Sequence, residues 1–333
     1  MSASGFRYVY GPVPSRRLGR SLGVDLVPFK TCTYDCVYCQ LGRTTCKTVE
    51  RRVYTPVEEV LAEVESKLHA GARPDYITIS GSGEPTLHAE VGAVIAGIRS
   101  VTAIPVAVLT NGSLLWMNEV QESLLDADIV IPSLDAGNDQ LFQYVNRPHP
   151  VIEFEKMVQG LVEFRLRYSK QIWLEVFLLD GVTAIRAEVE KIAKLVRRIA
   201  PNRVQLNTVT RPPAESFACP VGRENLEQLA ALFDPGAEVI ADYRGTHRMS
   251  EFVARRENVL DLLSRRPCTI EDIQAGLGLH RNEALKYVSE LSDKGLIEAV
   301  TTGGKTYHRA KTGESAANSS TNGRQGNAEH GKR

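Results

Sequence analysis

Three cysteines fall within eight residues of the stretch TCTYDCVYCQ: Cys32, Cys36 and Cys39, spaced C-x3-C-x2-C. Thiolates gathered on one short segment are soft metal ligands. A closed zinc site takes four protein ligands, usually as two short-spaced pairs. Here there is one C-x2-C pair, one cysteine four residues before it, and Cys46 as the nearby fourth thiol. A [4Fe-4S] cluster held by three cysteines fits the spacing better than zinc, because one iron stays open to a small-molecule chelator. Cys219 and Cys268 are scattered elsewhere.

The elements that must hold this loop can be read from periodicity. Between about residues 20 and 210, β-rich runs at 21–28, 76–80, 105–110, 128–134, 171–179 and 203–208 alternate with longer stretches carrying apolar residues at three- and four-residue spacing. Strand–helix alternation predicts a parallel sheet with crossover helices. The expected architecture is α/β, a partial (β/α)6 TIM-like barrel over 1–245, with a doubly wound open sheet as the alternative. From about 250 to 311 the pattern reads helix, short helix, longer helix, strand and β-turn, the layout of a small winged helix-turn-helix domain whose wing turns at Gly303–Gly304. Residues 312–333 have no aliphatic side chain larger than alanine, and a disordered tail is expected there.

With Tyr38 in the position before the last cysteine, the C-x3-C-x-aromatic-C signature resembles that of the radical S-adenosylmethionine (SAM) superfamily, and it follows the first strand of the alternating region. SGSGEPTL, after the second strand, resembles the superfamily's glycine–glycine–glutamate–proline motif, with Ser82 in place of its first glycine and Gly83, Glu84 and Pro85 as expected. VLTNGS and VIPSLDA end the third and fourth strands and resemble segments that contact the cofactor's ribose or carboxylate. The resemblance implies that Cys32, Cys36 and Cys39 bind iron and that the methionyl amine and carboxylate of SAM fill the open iron. It places Tyr38 near the adenine, Ser82, Gly83 and Glu84 at the methionyl end, and Thr110, Asn111, Ser133 and Asp135 in the shared pocket. It also implies an external reductant such as flavodoxin or ferredoxin.

The segment 10–45, YGPVPSRRLGRSLGVDLVPFKTCTYDCVYCQLGRTT, further resembles the subgroup of wyosine-type tRNA-modifying synthases, a resemblance that covers roughly residues 8–245. Cys46, Cys219 and Cys268 are too scattered to form the cysteine set of those synthases' second cluster, so the resemblance implies the subgroup and not the wyosine reaction itself.

Other candidates are weaker in chemistry. Arg16, Arg17 and Arg20 flank the first strand and are expected to form a solvated basic rim, with a phosphate or carboxylate site as the alternative. Asn146–His149 either lines the mouth or closes a loop, and Glu175 is placed to point into the barrel. The winged domain offers His280, Arg281, Asn282 and Lys286 at the start of its candidate recognition helix, for contact with nucleic acid (tRNA) or protein. Forty basic residues balance forty acidic ones, so whole-chain charge argues for no polyanionic partner. No apolar run approaches the roughly 20 residues of a membrane span, and the N-terminus lacks a signal-peptide core. A cytoplasmic location is therefore expected. The reading is a radical SAM enzyme of unidentified substrate, with tRNA as the first to test. The rival is an iron-sulfur redox-sensing transcriptional regulator, against which the cofactor-pocket motifs speak.

Overall fold

In the computed structural model, residues 6–241, 256–277, 279 and 281–311 are described. The expected junction between the two parts, the tail at 312–333, His280 and the side chain of Asn282 lie outside them.

The chain opens with an antiparallel pair, β1 (Val9–Ser15) and β2 (Gly19–Val24). The short parallel strands β3 (Thr31–Cys32) and β4 (Cys46–Lys47) then bracket the cysteine loop. Next come α1 (Val57–His69), β5 (Tyr76–Ile79), α2 (Val91–Val101), β6 (Val106–Thr110), α3 (Asn118–Leu124) and β7 (Ile129–Pro132). They are followed by α4 (Asp139–Val145), α5 (Phe154–Arg167), β8 (Gln171–Leu178), α6 (Arg186–Ile199), β9 (Arg203–Thr208), α7 (Arg223–Ala230) and β10 (Ala237–Val239).

The main sheet runs β1-β2-β5-β6-β7-β8-β9-β10, parallel throughout except for β1. Strand order follows chain order without reversal, whereas a doubly wound sheet reverses at a switch point. The sheet also curls. Leu18, in the turn between β1 and β2, packs on Ala107, Ile129, Ile131 and Trp173. Arg17 pairs with Glu175, and Arg16 donates to Asn207 Oδ1 at 3.0 Å. A turn at one edge meets β8 and β9 near the other only when the sheet closes towards a barrel. Glu175 therefore does face the interior. The expected solvated rim is corrected for Arg16 and Arg17: Arg17 is only 11% exposed. Burial, with the Arg211 guanidinium close by, lowers Arg16 to about 9. Arg20 stays at the surface beside Asp75.

The helices bury their apolar stripes against the outer face of the sheet. In α6, Val189, Ile192, Ala193, Val196 and Ile199 recur at helical spacing and are all buried. A fully buried aliphatic side chain of this kind contributes about 1.5–3 kcal/mol. Together these contacts hold the carboxyl ends of the strands, and the loops that follow them, in fixed positions.

The C-terminal part comprises α8 (Arg256–Arg265), α9 (Ile270–Leu277), α10 (Arg281–Asp293) and the antiparallel hairpin β11 (Ile297–Thr302) and β12 (Lys305–Ala310), turned at Gly303–Gly304. Its own core includes Val259, Leu262, Cys268, Ile273, Val288 and Ile297. Val13 of β1 packs against that core, Tyr307 Oη donates to Thr210 O at 2.8 Å, and Arg211 Nε donates to Pro267 O at 3.0 Å.

Candidate cofactor site

The cysteine loop leaves the end of β2 and is held by backbone bonds on both sides. Cys39 N donates to Cys36 O (3.1 Å), Thr48 N to Cys32 O (3.0 Å), and Val37 N to Val145 O at the end of α4 (2.9 Å). Cys32, Cys36 and Cys39 are half-buried free thiols, whereas Cys46 and Cys219 are exposed and Cys268 is sealed in the C-terminal core.

Each loop sulfur faces a nitrogen donor. Lys30 Nζ lies 3.1 Å from Cys39 Sγ, Asn146 Nδ2 3.5 Å from Cys36 Sγ, and Asn111 Nδ2 3.6 Å from Cys32 Sγ. Burial pushes the Cys32 thiol up to about 12, helped by the Glu84 carboxylate. Burial likewise pushes Cys36 well above the usual thiol range, with Asp135 and the other two thiols adding to it. Thiols crowded in this way stay protonated until a cation displaces their protons. Among the described residues no three Cys, His, Asp or Glu side chains converge on a single ion. One further observation fits a bound group: Asn146 Oδ1 is buried beside Cys36 with no hydrogen-bond partner. Its amide nitrogen is fixed by donation to Asp135 Oδ2 at 2.8 Å, so the orphaned atom is an acceptor.

The loop after β5 lies directly on the cysteine loop. Glu84 N donates to Thr31 O at 3.1 Å, and Lys30 N to Ser82 O at 2.7 Å. A Cβ on Gly83 would stand 1.9 Å from Thr31 O, so only glycine permits this approach. Ser82 points its hydroxyl at Asp25 Oδ2 (2.5 Å) and its amide at Asp25 Oδ1 (3.1 Å).

Glu84 is 2% exposed. Its Oε1 accepts from Thr86 N (3.0 Å), Thr86 Oγ1 (2.6 Å) and Thr110 Oγ1 (2.7 Å), and its Oε2 from Asn111 N (2.7 Å). Burial raises its pKa against the pull of these donors. Its side chain thus fastens the end of β6 to the loop after β5, leaving backbone groups of the loop to meet a ligand. Asn111, set by the Asn-Gly turn, bridges Thr33 Oγ1 (2.7 Å) and the Cys32 sulfur.

Beyond β7, Asp135 Oδ1 accepts from Phe177 N (3.0 Å) and Oδ2 from the Tyr38 hydroxyl; burial lifts its carboxyl to about 6. The Tyr38 ring stacks on Phe177 at 4.0 Å. Ser133 lines the same narrow crevice as Asp135, Tyr34 and Asn146.

The residues expected to hold iron or SAM therefore lie in the segments that follow β2, β5, β6 and β7, in two linked sets. One joins Cys32, Asn111, Thr110 and Glu84, and the other joins Cys36, Asn146, Asp135 and Tyr38. Sequence reasoning missed Lys30, Asp25, Thr33 and Phe177, whose types and spacing carry no signal of their own. It left the role of Asn146 open. His149 serves the loop, its backbone N donating to Thr33 O and its Nδ1 accepting from Val151 N.

The family profile described as the Radical SAM superfamily matches residues 26–215. The chain is 37% identical over 303 residues to a protein named GTPase Obg from Brachyspira hyodysenteriae, covering 90% of this chain and 45% of that one. It thus spans less than half of that relative's length. It is 32% identical over 308 residues to the UPF0026 protein MJ1312 of Methanocaldococcus jannaschii, covering 90% of this chain and 94% of the other. A radical SAM methyltransferase from Sphaerobacter thermophilus shares the fold, with a TM-score of 0.50 at 20% identity over 66% of this chain and 65% of its own.

Proposed function

The chain belongs to the radical SAM superfamily, and from that premise we propose that Cys32, Cys36 and Cys39 hold a [4Fe-4S] cluster at whose open iron SAM binds. Held there, these groups would supply one-electron radical chemistry able to abstract hydrogen from a substrate. The protein's part is to position and to shield. Lys30, Asn111 and Asn146 donate to the three sulfurs, and hydrogen bonds to sulfur tune such a cluster. Backbone groups around Ser82 and Gly83 are offered to the methionyl end, and Asn146 Oδ1 is offered as an acceptor. Thr110, Ser133 and Asp135 line the pocket, and Tyr38 closes one wall over Phe177. Reducing equivalents come from a small redox protein of the flavodoxin or ferredoxin kind.

The observation that carries this reading is the trio of free thiols, each facing a nitrogen donor, with the Gly83 loop laid on the same segment. The substrate we propose to test first is tRNA, on the resemblance of residues 10–45 to wyosine-type synthases. We read residues 256–311 as a winged helix-turn-helix that contacts nucleic acid or a partner protein. No helix among the described residues is long and apolar enough to cross a membrane.

The deciding experiment is anaerobic reconstitution, reduction in the presence of SAM, and quantification of 5′-deoxyadenosine against Cys36→Ala. Product is expected from the wild type alone, with tRNA nucleosides then compared by mass spectrometry. A fully loaded wild type that makes no more than the variant sinks the enzyme reading and brings the redox-sensing regulator forward.

A further inference from the structure

The loop after β5 is gripped from two directions. On one side it is bonded to Lys30 and Thr31 of the cysteine segment. On the other it wraps the Asp25 carboxylate, which accepts from Ser82 N and Ser82 Oγ. Asp25 is 5% exposed, and a Cβ on Gly81 would stand 2.5 Å from its Cγ, so the loop follows the carboxylate closely.

The countercharge comes from outside the barrel. Arg265, the last residue of α8, is ion-paired with Asp25 Oδ2 and donates to Ser82 Oγ at 3.2 Å. Its guanidinium carbon lies 4.6 Å from the centre of the Tyr10 ring. That ring fills the space above Gly23, where a Cβ would stand 2.1 Å from Tyr10 Cζ. The arm is thus sandwiched between Tyr10 and the Asp25–Ser82 pair.

A carboxylate buried this far is costly without a partner. Burial pushes the Asp25 carboxyl up and the Arg265 guanidinium pulls it back. Withdrawal of Arg265 leaves a buried carboxylate with no countercharge, held only by hydrogen bonds from Ser82 and the Val27 backbone, which must then protonate or shift, taking Ser82 with it. There is room for withdrawal. A cavity of about 370 Å³ opens beside the ion pair, lined by Asp25, Ser82 and Arg265 with Val27, Phe29 and Tyr54.

We propose that Arg265 is a positioning residue through which docking of the C-terminal domain on the barrel sets the Gly81–Glu84 loop, so that domain docking and SAM binding favour one another. The inference rests on the reading of that loop as the cofactor loop. Because such coupling is reciprocal, whatever the C-terminal domain binds acts on SAM affinity, and SAM acts on the domain.

The test is equilibrium dialysis of radiolabelled SAM against the anaerobically reconstituted full chain as wild type, Arg265→Ala, Arg265→Lys and Ser82→Gly. At equal iron and sulfide content, Arg265→Ala is expected to weaken SAM binding about tenfold, within the usual range of coupling between sites. Arg265→Lys should recover most of the loss, which mere removal of packing would not predict. Ser82→Gly should weaken binding alone and add less than its full effect on top of Arg265→Ala, since both act through one contact. Saturating SAM should slow amide exchange in α8 of the wild type and leave Arg265→Ala unchanged. The proposal is overturned if either Arg265→Ala or Ser82→Gly binds SAM as tightly as the wild type. A wild type that fails to bind SAM at all overturns the cofactor reading instead.

Discussion

Lys30 shows how much of a site can rest on a residue that no motif marks. It is 4% exposed, and its ammonium lies 3.1 Å from Cys39 Sγ. A cation beside a cluster sulfur favours the more negative, reduced state. Charge-assisted hydrogen bonds contribute roughly 1.5–3 kcal/mol, and 59 mV corresponds to about 1.4 kcal/mol for one electron. Lys30→Met should therefore lower the cluster midpoint potential by on the order of 50 mV or more, read by a redox titration followed by electron paramagnetic resonance. An unchanged potential would remove Lys30 from the cluster environment. The three cysteines and Gly83 stood out in the sequence because soft-metal ligation and close backbone approach would each demand particular residue types at fixed spacing. Lys30, Asp25 and Phe177 were not, since lysine before a cysteine or phenylalanine in a strand is ordinary until the sheet curls and brings them inward.

At the scale of elements, all six strand runs of the barrel and the four long helices between them were legible, because the period of apolar residues changes sharply from one kind to the other. β1 was not, since Gly11, Pro12 and Pro14 break its pattern. The turn that follows it was misread for the same reason: two arginines in a polar stretch signal solvent, and only the curl of the sheet turns them towards Glu175 and Asn207. A quieter junction joins the start of α1 to the loop after β5. His88 is fully buried. Its Nε2 donates to Thr55 O at 2.9 Å and its Nδ1 accepts from Glu90 N at 3.2 Å, which fixes the neutral ring. Burial lowers its pKa from 6.5. The unfolded chain takes up the proton first, so this contribution to stability is whole above pH 6.5 and is lost as pH falls from there through the folded value. Melting temperature should decline between pH 7 and 5, and His88→Gln, which keeps a donor for Thr55, should flatten that decline. Parallel pH profiles for the two proteins would show that His88 is not the group responsible.

For the whole molecule the question is whether barrel and C-terminal domain unfold together. Sequence texture changes after residue 250, where helix and hairpin periods recur. It could not show that Val13 of the first strand completes the second core, since strand-edge residues carry no address for a distant partner. The interface combines that apolar contact with two hydrogen bonds to backbone oxygens, from Tyr307 Oη to Thr210 and from Arg211 Nε to Pro267, and with the ion pair at Asp25. Neither unit can leave without exposing Val13 and stranding buried polar groups, which costs about 1–3 kcal/mol for each group left unpaired. Calorimetry of the full chain should accordingly show one transition. Tyr307→Phe, which leaves Thr210 O without its donor, should lower that transition by a few degrees as a unit. Two resolved transitions in the wild type, with only the smaller one moved by Tyr307→Phe, would mean that the domains are stable independently and that their contact is too weak to transmit a signal.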